Sequence, residues 1–174
     1  MKKLFTLILV GLSLTACTIE EGNPLFGIVK RVVINPVNAV ISTAVEVHYS
    51  EDREEDQELY RYLDMFVEDA AMHGIDLNYV YSRDINLHFG SWEPTLLSGL
   101  SLGYGRDDIT IYINRGSWGY RSETHRKFLM YHELGHDIFN LRHGDTELLQ
   151  PGTLSLDEDN ADAILEKFWN HVNN

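Results

Sequence analysis

Hydrophobic and polar positions change period along the chain, and each change marks an element. Val45, Val47 and Tyr49 alternate with Glu46 and His48, a period of two that predicts a first strand. Ser50 then reads as an N-cap. Glu51, Asp52, Glu54 and Glu55 sit at the positive end of a helix dipole, and Leu59, Leu63, Phe66, Val67 and Ala70 recur at helical spacing. Gly74 is a natural stop. Ile85, Leu87 and Phe89 alternate again, as do Leu100, Leu102 and Tyr104, and then Ile109, Ile111 and Ile113. Residues 114–121, with Gly116 and Gly119, read as loop. Ser122 caps a helix with Glu123 in its first turn, and Phe128, Leu129, His132 and His136 share its broad face. A last helix is expected from the capping box at residues 155–158, with Ala161, Ile164, Leu165, Phe168 and Trp169 as its buried stripe. Strand, helix, three strands, helix, helix is the order of an α+β domain.

The N-terminus is different in kind. Met1-Lys2-Lys3, a short apolar run and Leu14-Thr15-Ala16-Cys17 have the layout of a secretory signal, and the run is too short for a permanent membrane span. Leu-Thr-Ala-Cys resembles a bacterial lipobox, which implies cleavage before Cys17 and lipidation of the new N-terminus. Residues 1–16 are therefore expected to be a lipoprotein signal peptide, 17–43 a tether, and 44–174 one folded domain. Within the tether, the Ile/Val stretch from Ile28 to Ile34 fits a strand or a helix equally well. Cys17 is the sole cysteine, so no intramolecular disulfide can form. The expected location is the bacterial cell envelope, periplasmic or surface-exposed, with the membrane as a partner through the lipid on Cys17.

Charge narrows the partners. The chain has 14 basic and 27 acidic residues; losing Lys2 and Lys3 with the signal leaves 12 against 27, a formal net charge of −15. Such a surface repels nucleic acid and anionic headgroups, so neither DNA nor RNA is expected as a partner. A monomer is expected.

The candidate chemistry lies in His132-Glu133-Leu134-Gly135-His136, with His143 beyond. Two His four residues apart on a helix stand one turn above the other and can grip one metal ion. The Glu after the first His can serve as general base on a metal-activated water. Catalytic Zn²⁺ takes three protein ligands and keeps one position open, and His143 is the leading third ligand. Asp145, Glu158, Asp159 and Asp162 are acidic alternatives. His48, His73, His88, His125 and His171 lack paired spacing with the motif and read as surface or packing residues. Tyr104, Tyr112 and Trp118 are candidates to line a substrate cleft.

HELGHDIFNLRH, with the helix that follows, resembles the metzincin clan of zinc peptidases, the matrixin branch above all. The family pattern is HExxHxxGxxH. The resemblance covers roughly residues 44–171, although only the metal helix and its sequel are specific. It implies a zincin catalytic domain: a small twisted mixed sheet, an active-site helix and a C-terminal helix. It also implies that Ile109–Asn114 is the edge strand that pairs with an extended peptide. The function implied is a zinc endopeptidase with Glu133 as general base and His132, His136 and His143 as ligands. The chain departs from the pattern twice. Phe139 stands where the family has Gly, and His143 comes one residue late; Asn140, which tolerates the left-handed conformation, can supply the turn. Leu149 stands where metzincins carry a Met beneath the ligands, a swap of similar volume. Two other functions remain compatible with the residues: a non-catalytic metal-stabilised envelope lipoprotein, and a zinc hydrolase acting on a non-peptide envelope amide.

Overall fold

The computed structural model describes residues 27–33, 44–49, 53–92, 98–102, 107–153 and 156–174. Cys17 and the expected signal peptide lie outside the described residues, as do Ser50, Tyr104 and Ser155. Five strands form one mixed sheet: β1 (Gly27–Val33), β2 (Ala44–Tyr49), β3 (Ile85–Ser91), β4 (Gly99–Ser101) and β5 (Ile109–Asn114), in the order β1-β2-β3-β5-β4. β3 and β5 run parallel, with Leu87 opposite Ile111; the other neighbours are antiparallel. Four helices accompany the sheet: α1 (Arg53–Met72), the single turn α2 (Arg115–Trp118), α3 (Glu123–Phe139) and α4 (Ala161–Val172). The molecule is thus α+β. The stretch that the sequence left open between strand and helix is β1, paired with β2. Among the described residues no helix is long and apolar enough to cross a membrane.

The core follows from the periodicities. Leu59, Leu63, Phe66, Val67 and Ala70 of α1 are all buried, and so are Leu87 and Phe89 of β3. Gly74, at φ +79°, follows the end of α1. Phe66 meets Tyr131 of α3 and Trp169 of α4 at ring-centroid distances of 4.8 Å each, so the three long helices lock through one aromatic cluster.

Three expectations are corrected. β5 is not an edge strand: β3 and β4 flank it and all six of its residues are buried. Its Thr110 and Tyr112 are buried along with its isoleucines, and both α3 and α2 pack against the strand. β4 lies at one end of the sheet and β1 at the other. Second, residues 115–118 form a helical turn where loop was expected, because Asn114 Oδ1 accepts hydrogen bonds from the Gly116 and Ser117 N–H groups and nucleates it. Third, α4 begins at Ala161; residues 158–160 form a 3₁₀ turn on Asp157, whose carboxylate accepts the Asp159 N–H at 3.1 Å.

Candidate metal centre

α3 starts where a side chain can satisfy its first amides: Ser122 Oγ accepts the His125 N–H at 3.2 Å. It ends at Asn140, which has φ 54° and ψ 29° and is the one described non-glycine residue with positive φ. The Asn140 and Leu141 N–H groups both turn back onto the Gly135 carbonyl. The left-handed residue reverses the chain, and His143 returns to the face that carries His132 and His136. The helix is one residue longer than an HExxHxxGxxH spacing would make it, and the turn comes one residue later to match.

The three imidazoles converge. His132 Nε2 lies 3.0 Å from His136 Nε2 and 3.1 Å from His143 Nε2, and the ligand atoms of all three lie within 4.8 Å of one another. His132 is buried, His136 partly buried and His143 exposed, so the group opens toward solvent on one side. His132 Nδ1 donates to the Leu148 carbonyl at 2.9 Å and His136 Nδ1 to the Leu141 carbonyl at 2.6 Å. Carbonyl oxygens only accept, so each Nδ1 carries the proton and each Nε2 presents a lone pair. Two lone pairs facing at 3.0 Å repel unless a cation lies between them. Tetrahedral ligands about 2.0–2.1 Å from Zn²⁺ would be separated by roughly 3.3 Å, close to what is observed. The group can therefore hold a metal ion, and imidazole donors suit several transition metals.

Electrostatics favour the ligating form. Burial, then the neighbouring His136, pushes His132 down to about 3, so its imidazole stays neutral. Burial lowers His136 and His143 as well. The acidic alternatives are engaged elsewhere: Asp145 accepts the Arg142 N–H at 2.6 Å, and Glu158 pairs with Ser122 and His125. Asp159 and Asp162 are exposed and outside the group.

Glu133 is buried and follows His132 in the chain. Burial, then Asp137, raises its carboxyl to about 8, against the opposing pull of the Ser101 N–H and Arg121. Gly99 of β4 leaves it room. A Cβ at residue 99 would fall 2.4 Å from Glu133 Oε1, closer than any real contact. Gly135 plays a matching role beneath the ligands. A Cβ there would lie 3.2 Å from Phe168 of α4 and 3.4 Å from Leu149, so Leu149 does pack under the helix between the two ligating turns.

No protein-family model matches the chain, nor does any curated protein or solved structure. The site is therefore interpreted from its own geometry.

Sequence reasoning missed four contributors. Ser101 supplies an N–H to Glu133 while its Oγ donates to Asp137 Oδ2 at 2.9 Å. Asp137 also receives the Thr110 N–H at 3.4 Å. Gly99 and Arg121 complete the surroundings. One cue was present: Glu133 and Asp137 stand four apart, a like-charge pair on one helix face, which is unfavourable unless something holds it. The cleft-lining aromatics are corrected as well. Trp118 packs against Phe89 and Tyr62, and Tyr112 is buried against His88. Three other histidines are held by structural contacts: His73 bonds the Asp69 carbonyl and Glu166, His88 bonds Asp56, and His125 bonds Ser122 and the Leu156 carbonyl.

Proposed function

We propose that this chain is a metzincin-like zinc endopeptidase. His132, His136 and His143 are its metal ligands and Glu133 its proton carrier. The observation that carries the reading is the convergence of three imidazole Nε2 atoms next to a buried carboxylate. Such a carboxylate has no use in a purely structural metal site. Bound there, Zn²⁺ would supply Lewis acidity, polarising a peptide carbonyl and making an attacking water acidic near neutral pH.

The chain's own residues do the rest. Leu148 and Leu141 hold the first two imidazoles in the tautomer that offers Nε2. A Glu133 carboxylate oxygen takes a proton as water attacks the peptide carbon, then delivers it to the leaving amine. Ser101 and Gly99 confine that carboxylate, so it moves a proton without having to be reoriented. An extended peptide would add to β4, the end strand beside the metal helix, rather than to the enclosed β5. We further propose that the protein acts at the bacterial envelope, anchored by lipid on Cys17, in keeping with the acidic chain and its signal-like N-terminus.

The test is Glu133→Gln. The variant should bind about one zinc, like the parent, and lose about 10²–10⁴-fold or more in peptide cleavage. A zinc-loaded parent that cleaves nothing across a broad peptide library would defeat the peptidase reading.

A further inference from the structure

We propose that Arg121 determines specificity: its guanidinium receives a carboxylate of the peptide substrate next to the scissile bond. The inference rests on the peptidase reading of the metal centre.

Arg121 lies immediately before the cap of α3 and is only 6 % exposed. Its Nη2 donates to Ser98 Oγ at 2.6 Å and its Nη1 to Thr153 Oγ1 at 3.2 Å, while its buried Nε has no hydrogen-bond partner. Both partners are neutral hydroxyls. Among the described residues no carboxylate forms an ion pair with it, whereas the nearby Arg126 and Lys127 have Glu58 and Asp69 at 2.9 and 2.8 Å. Glu133 acts on it through space but makes no ion pair with it, so two neutral hydroxyls are its hydrogen-bond partners, and a guanidinium's five donors suit an anion.

Its position says which anion would come. Ser98 precedes Gly99, the residue whose backbone lies against the Glu133 carboxylate. Thr153 follows the Leu148–Leu149 turn that holds His132 from below. The guanidinium thus bridges the two segments that flank the proton carrier. A peptide whose scissile carbonyl reaches Glu133 brings its neighbouring residue toward Arg121. The shared chemistry is a carboxylate, from an Asp or Glu side chain or from a peptide's own C-terminus. A charge-assisted contact of this kind should favour the acidic substrate roughly 10–100-fold.

The experiment profiles the zinc-loaded parent on matched peptides carrying Asp, Glu, Asn, Gln or Lys on either side of the cleaved bond, each with a free or an amidated C-terminus. Expected is a kcat/KM ratio of about ten or more for acidic over amide residues at one position. If amidation alone removes the preference, the recognised group is the terminal carboxylate. Arg121→Gln, checked for zinc content and fold, should bring the ratio close to one. If that variant does not fold, the parent's ranking decides alone. Cleavage by the parent without acid preference, or an unchanged preference in Arg121→Gln, overturns the inference and leaves the peptidase reading standing. A parent that cleaves no peptide overturns the peptidase reading itself, and this inference with it.

Discussion

At Glu133, burial sets stability against the proton-carrying role proposed for it. Burial raises its carboxyl to about 8, above the ordinary value of 4.5. In the metal-free protein, then, the unfolded chain releases this proton near pH 4.5 while the folded chain keeps it until about 8. Stability falls as pH rises through that window. Glu133→Gln removes the penalty, so the metal-free variant should be more stable than the parent by a few kcal/mol near pH 8, with the difference vanishing below about pH 4.5. Urea unfolding at pH 4 and pH 8 measures this; a variant less stable at both would show Glu133 to be structural. Gly99 supplies the complementary residue-scale prediction. In Gly99→Ala the new methyl would overlap Glu133 Oε1, so the carboxylate must move. Zinc content should be retained while kcat falls by roughly 10²-fold, because misplacement by about 1 Å is enough for that loss. Steady-state kinetics beside metal analysis separates the two.

At the scale of elements, the decisive feature is the end of α3. Asn140 holds a left-handed conformation that costs most L-residues about 1–2 kcal/mol, and that turn determines whether His143 meets the other two ligands. Asn140→Gly should keep zinc affinity near the parent value, whereas Asn140→Val should weaken it at least tenfold by straining the turn. Competition with a chromogenic chelator reads both, and equal affinities would remove the turn from the argument for His143. The α1–α4 contact has its own pH dependence. His73 stacks on Trp169 and pairs with Glu166, and the Asp69 carbonyl, then Glu166, raises its pKa above 6.5. Its contribution is complete below pH 6.5 and is lost as pH rises through the raised value. His73→Gln should therefore cost stability at pH 5.5 and very little at pH 8.5, measured by thermal unfolding.

For the whole molecule, a metal held by this group would be a ligand of the folded state alone. The three imidazoles meet only after α3 has turned at Asn140 and the Leu148–Leu149 segment has packed beneath it. Zinc at one hundred times its dissociation constant should raise stability by about 2.7 kcal/mol, and a chelator should remove the gain. His132→Ala and His143→Ala should both abolish it. If Asp145→Ala abolishes the gain and His143→Ala does not, the ligand set is wrong. Anchoring is tested separately: Cys17→Ser should release the protein from membranes, and unchanged fractionation and mass would rule out lipidation there.

Much of this protein is written in local pattern. The period-two runs of β3 and β5, the 3.6-residue stripe of α1 and the His132–His136 spacing depend on near neighbours, so the sequence alone specified them. Asn140 as the left-handed turn residue was legible for the same reason, since backbone preference is a property of one residue and its neighbours. Contacts between distant segments were not. That β5 lies inside the sheet and β4 at its edge depends on strand pairing, which alternation does not encode. That Gly99 abuts Glu133, that Ser101 bridges Glu133 to Asp137, and that Arg121 is buried on two hydroxyls with no ion pair among the described residues follow only from the packed structure. Charge pairing and close approach are properties of positions in space, and folding brought residues 99, 121 and 133 together.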